Sequence, residues 1–177
     1  MNIVNIVCEY KLIGCIETSN LNKTEKFSGY TIRDGKNVCR VYKNGYCIVT
    51  GITEVASADR LIRENFPLNP IITRKIILVT GSGKIPFKFS FSSLLKWHSL
   101  NRTRSHLRYE GEIFPALYWL KEPETIYFFP SGSAIITGAK SIGRIEHVWR
   151  EFLSELWSVH KECSQFILPV SNDVGEL

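Results

Sequence analysis

The residue types that carry most enzymatic chemistry are scattered along this chain. Four histidines (His98, His106, His147 and His160) sit far apart, and His147 and His160 lie thirteen positions apart, which is not metal-ligand spacing on a helix. Five cysteines (Cys8, Cys15, Cys39, Cys47 and Cys163) form no CxxC pair. An odd count at wide spacing reads as reduced, mostly buried thiols in an intracellular protein. Gly81-Ser82-Gly83-Lys84 looks like the end of a phosphate-binding loop, but the upstream glycine is missing and no Ser or Thr follows Lys84. No cofactor, no metal site and no catalytic activity is expected. What remains is binding chemistry: aromatic and β-branched side chains in a repeated pattern.

The pattern needs elements to position it. Residues 109–138 hold three short apolar runs broken at Lys121-Glu122-Pro123 and at Pro130-Ser131-Gly132, the punctuation of β-strands and turns. Behind them Ile142, Ile145, Val148, Trp149, Phe152, Leu153, Leu156 and Trp157 form one stripe, predicting a long amphipathic helix over about 141–161. Earlier, residues 3–8, 27–33, 38–42 and 46–50 read as strands, with tight turns at Asp34-Gly35 and Asn44-Gly45. A modest helix follows from Thr53 and closes at Pro67 and Pro70. Residues 76–79 read as a strand, 81–83 as a turn, 86–91 as extended and 92–100 as a short helix.

Residues 42–51 and 129–138 match in their aromatic, turn glycine, branched pair and Thr-Gly terminus, all at an offset of 87, and Phe27 and Phe114 share that offset. Strand, turn and following helix match together, which marks an internal repeat. The expected organisation is α+β: a first unit over 1–70 and a second over 71–177 with a C-terminal tail, joined edge to edge in one antiparallel sheet with helices on one face. Period-two alternation then puts Ile48 with Thr50, Ile135 with Thr137, and Tyr127 with Phe129 on shared faces. These residues are either ordinary core or a binding face, since a wide apolar sheet face is costly unless it binds something.

The net charge is +5, from 22 Lys and Arg against 17 Asp and Glu. That balance suits an anionic partner, and neither end is a basic tail. No window approaches eighteen uncharged apolar residues, so no membrane partner is expected, and the N-terminus carries no basic segment ahead of an apolar core.

The string FFPSGSAIITGAKS resembles the signature of the TATA-binding protein family, YEGEIFPALYW resembles the segment preceding it, and NIVNIVCEYKLIGC resembles the family's opening strand. The resemblance implies a saddle: two pseudosymmetric units forming one curved antiparallel sheet, helices on the convex face, and the minor groove of double-stranded DNA at A/T-rich promoters against the other. It assigns Phe27, Tyr42, Phe114 and Phe129 as wedges that unstack base steps and bend the duplex. Asn5, Val7, Ile48, Thr50, Val79, Pro115, Tyr127, Ile135 and Thr137 become groove-floor residues. Val79 matches Val7, and Ile77 stands where a second asparagine is expected opposite Asn5. Lys26, Arg33 and Lys140 become phosphate contacts, each equally readable as a solvated charge, and Arg40 becomes a contact to a phosphate or to a narrow groove. Arg40 stands where the family has an apolar groove residue.

Glu110 and Glu112 become the surface for a B-type general transcription factor (TFIIB-like), leading to RNA polymerase, and Glu122 and Glu124 lie where they would add to it; the other reading is that these acids solubilise the edge. Phe27 to Tyr42 and Phe114 to Phe129 each span fifteen positions, shorter than the family pattern, which weakens the expected contact to an A-type (TFIIA-like) factor. The resemblance implies a monomer on DNA, a homodimer through the sticky face without DNA, and work in a nucleus or at a site of viral transcription. The other reading is a saddle that has lost DNA binding and acts as a protein-interaction module in a transcription complex.

Overall fold

The computed structural model describes residues 1–14, 16–19, 21–23, 29–87, 90–100 and 107–165. Ten strands and three helices are placed among them. The first half runs β1 (Asn2–Leu12), β2 (Asn22–Lys23), β3 (Tyr30–Asp34), β4 (Asn37–Val41), β5 (Tyr46–Ile52) and helix α1 (Val55–Asn65). The second runs β6 (Ile71–Lys84), α2 (Phe91–Leu100), β7 (Leu107–Tyr109), β8 (Leu117–Lys121), β9 (Glu124–Phe128), β10 (Ser133–Ala139) and α3 (Ile142–Gln165). All ten strands form one sheet in the order β2-β3-β4-β5-β1-β6-β10-β9-β8-β7, and every pairing is antiparallel. The order is a palindrome about the β1–β6 seam, as a repeat joined through its first strands requires.

Alternation decides which side chains meet the helices. On β1, Ile6, Cys8, Tyr10 and Leu12 are buried, whereas Asn5, Val7, Glu9 and Lys11 are only half-buried. Cys47, Val49, Ala134 and Ile136 extend the buried side across β5 and β10. Ala58, Leu61 and Ile62 of α1 and Ile145, Val148, Phe152 and Leu156 of α3 join them in one core. Full burial of a Leu, Ile or Phe side chain contributes roughly 1.5–3 kcal/mol, so this covered side holds the fold together. Phe152 packs edge-on against Trp119 and Phe128, ring centres 5.3 and 5.8 Å apart. Helix α1 is tied down by one carboxylate. The Tyr10 hydroxyl donates to Asp59 Oδ1 at 2.7 Å, and Arg74 donates to Asp59 Oδ2 at 2.6 Å.

The predicted helices agree with α1, α2 and α3 to within a few residues at each end. The central seam does not agree. Residues 71–84 form one 14-residue strand, and Gly81-Ser82-Gly83 lie inside it rather than in a turn. The reason is packing. A Cβ on Gly81 would sit 2.9 Å from Ile145, and one on Gly83 would sit 2.8 Å from the Trp149 ring. These glycines let α3 lie directly on the strand backbone. GSGK is therefore part of a sheet, not a phosphate-binding loop.

Candidate nucleic-acid interface

No described helix lies on the other side of the sheet. This uncovered face carries, in the first half, Asn5, Val7, Val38, Arg40, Ile48 and Thr50, placed there by alternation with the buried residues and by direct cross-strand pairing. Arg33 pairs with Val38 and Thr31 with Arg40, so both join this face. In the second half Ile135, Thr137, Tyr127 and Thr125 occupy the equivalent positions, with Ile135 paired to Tyr127 and Thr137 to Thr125. Tyr118 pairs with Tyr127, and Leu120 with Thr125.

The two halves share turn chemistry at their aromatic ends. The Tyr42 N–H donates to Tyr46 O and the Gly45 N–H to Tyr42 O, both at 2.9 Å. The Phe129 N–H donates to Ser133 O and the Gly132 N–H to Phe129 O at the same distances. The Thr-Gly ends also match. Gly51 and Gly138 have φ of 82° and 102°, and a Cβ would lie 2.3 Å from Lys36 O and 2.5 Å from Pro123 O respectively. Only glycine fits a left-handed backbone against a neighbouring carbonyl.

Phe114 and Phe129 lie side by side, ring centres 5.8 Å apart. Tyr118 and Tyr127 complete the group: Phe114 is 5.6 Å from Tyr118 and 6.1 Å from Tyr127, and the two tyrosines are 5.3 Å apart. All four rings are half-buried. Pro115 is exposed beside them. In the first half Tyr42 is half-buried, and its ring reaches the space a Cβ on Gly29 would fill. Phe27 and Lys26 lie outside the described residues.

At the seam, Asn5 has a defined amide orientation. Its Oδ1 accepts from the Gly51 N–H at 2.9 Å and stands 3.4 Å from the Thr50 hydroxyl. Because a backbone N–H can only donate, the oxygen is identified and Nδ2 remains the donor. The second half differs. Cys8 and Glu9 pair with Val49 and Ile48 as Gly81 and Ser82 pair with Ile136 and Ile135, so the central strands are related by an offset of 73. The counterpart of Asn5 is thus Leu78 and that of Val7 is Thr80. Val79 corresponds to Ile6, pairs with it and is fully buried, so it is core and not groove floor. A register error of one residue moves a side chain to the opposite face. Ile77 and Val4 sit where the seam pairing slips by one residue, and both are exposed. The Thr80 and Thr137 hydroxyls lie 3.1 Å apart on the uncovered face.

Glu110, Glu112 and Glu122 are exposed. Glu124 is not: it is 2% exposed and gripped by Arg144 of α3 through two bonds of 2.9 and 3.0 Å. The Arg144 hydrogen bonds hold the Glu124 carboxyl below its ordinary range. Glu124 is a strut between β9 and α3, and it is not available to a partner. Arg33, Arg40 and Lys140 are exposed. Sequence reasoning missed Tyr118, Leu78, Thr80 and Glu9. Tyr118 was findable, because the 87-residue offset maps it to Thr31, between Phe27 and Arg33 on a predicted strand that already carried two candidate contact residues.

Methanococcus jannaschii TBP superposes with a TM-score of 0.71 at 22% identity, over 91% of this chain and 98% of that one. The fold is that of the TATA-binding protein. The family model described as "Transcription factor TFIID (or TATA-binding protein, TBP)" matches residues 78–159. That stretch covers most of the second half, where the aromatic group lies, and leaves the first half unmatched. No curated protein sequence matches the chain. Among the described residues no cluster of His, Cys, Asp or Glu is placed to hold a metal ion, and no helix is long and apolar enough to cross a membrane.

Proposed function

We propose that the chain is a non-catalytic transcription-initiation factor of TATA-binding-protein type that lays its uncovered sheet face into the minor groove of A/T-rich promoter DNA. The observation that carries this reading is the four-ring group on the uncovered face. Phe114 and Phe129 enter a base step there, and Tyr118 and Tyr127 support them from behind. Phe27 and Tyr42 form the second wedge. Unstacking a step costs a few kcal/mol, offset by the added contact of the bent duplex. Between the wedges Val7, Ile48, Thr50, Ile135, Thr137 and Leu78 present an apolar and hydroxyl floor, which a guanine amino group would disturb. Asn5 Nδ2 donates to base-edge acceptors at the seam. Lys26, Arg33, Arg40 and Lys140 hold phosphates.

The division into a 1–70 unit and a 71–177 unit then places one unit on each half-site. Glu110, Glu112 and Glu122 form the acidic surface for a B-type general factor, with RNA polymerase following. Work in the nucleus, or at a site of viral transcription, goes with that role. On DNA the chain acts as a monomer; without it, two chains shield each other's uncovered faces. The test is competitive binding of A/T-rich and G/C-rich duplexes, with a minor-groove ligand as blocker. Preference for A/T-rich duplexes and loss of binding to the blocked groove support the reading, and indifference to the blocker sinks it. The second reading, a saddle used only for protein contacts, is favoured by Leu78 at the place of a second asparagine. It predicts no duplex binding at low salt by folded protein.

A further inference from the structure

In-register pairing lines up Lys75, Glu9, Ile48, Arg40 and Thr31 across the uncovered face of the first half. The equivalent row of the second half runs Asn2, Ser82, Ile135, Tyr127 and Tyr118. One row is charged, while the other is built from hydroxyls, an apolar side chain and rings. Glu9 is the residue that does not suit a face lying on a polyanion. Cys8 and Tyr10 on either side of it are fully buried on the covered face, so Glu9 is held on the uncovered one. It is half-buried, and among the described residues its carboxylate makes no hydrogen bond or ion pair.

An ionised carboxylate can only accept. In the minor groove an A·T pair shows acceptors alone, whereas a G·C pair adds one donor, the guanine 2-amino group. Over A·T the Glu9 carboxylate faces atoms of its own kind. Over G·C it has a partner. Ser82 stands at its place in the second half, paired with Ile135, which in turn pairs with Tyr127, so that row carries no carboxylate to accept from an amino group. Resting on the minor-groove reading above, we propose that Glu9 makes the first half select a G·C pair by accepting from the guanine 2-amino group. The second half still requires A·T. The preferred element is then asymmetric, and its asymmetry sets the direction in which the protein sits.

The test uses the full chain and a set of A/T-rich duplexes, each with one G·C pair at a successive position. Each is compared with the same duplex carrying inosine for guanine, which removes only the 2-amino group. At one position, on one side of the site, guanine is expected to bind about tenfold tighter than inosine. Glu9→Val is expected to remove that preference and to tighten binding to the all-A/T duplex, because no carboxylate then faces the acceptors. If A/T duplexes bind but guanine is nowhere favoured over inosine, this inference alone is overturned. A preference that survives in Glu9→Val assigns the amino contact elsewhere and overturns it too. If no duplex binds, the minor-groove reading falls with it.

Discussion

Single residues separate the uncovered face from the packed interior. Phe128 and Phe129 are neighbours with opposite tasks. Phe128 is 1% exposed among Phe91 and Phe152, while Phe129 belongs to the four-ring group on the uncovered face. Phe128→Ala should cost about 3–5 kcal/mol of stability. Phe114→Ala forfeits only ring contacts and should cost about 1–2 kcal/mol. Chemical denaturation of the two variants checks the contrast, and equal large losses would place Phe114 in the core. Glu124 gives a pH prediction. Its carboxyl is held below the ordinary value of 4.5 by the hydrogen bonds from Arg144. A depressed carboxyl pKa contributes stability above its unfolded value, and that stability is lost as pH falls through the folded value. The wild type should therefore lose stability below about pH 4.5 more steeply than Glu124→Gln. Denaturation midpoints measured across pH 3–6 decide this, and parallel curves would contradict it.

At the scale of elements, the seam strand β6 depends on α3 lying close. A side chain at Gly83 meets the Trp149 ring at 2.8 Å, so Gly83→Val should destabilise by roughly 1–3 kcal/mol through overpacking. Trp149→Ala should soften the effect in the double variant, and additive losses would separate the two sites. The seam also shows where the sequence was readable. Turn residues, strand alternation and the helical stripe of α3 were legible because each is local. The Thr-Gly repeat was legible because both copies meet the same carbonyl approach. Gly81 and Gly83 were misread because a glycine for a turn and a glycine for close helix packing look alike until the partner is known. Val79 was misassigned for a related reason. The slip residues Val4 and Ile77 shift the register of the central strands, and no local pattern reveals which residue is extra. Glu124 read as a surface acid because its partner, Arg144, lies 20 positions away.

For the whole molecule, a pseudosymmetric frame carries asymmetric chemistry. The first half presents Arg33, Arg40, Thr31 and Glu9, and the second presents Leu120, Tyr127, Tyr118 and Ser82 at the matching places. The family match to residues 78–159 falls on the second of these halves. If Lys26, Arg33, Arg40 and Lys140 hold four phosphates, affinity should fall roughly a hundredfold between about 50 and 200 mM salt. A flat salt response would remove the electrostatic part of the reading. The central claim is that the uncovered face bends duplex DNA with its aromatic wedges. The most direct test is the end-to-end distance of a short, doubly dye-labelled A/T-rich duplex, read by energy transfer as protein is added. A marked shortening with wild type, reduced by Phe114→Ala with Phe129→Ala in a protein that remains folded, is the expected result. A bound duplex that stays straight, or one bent equally by the double variant, would contradict the claim.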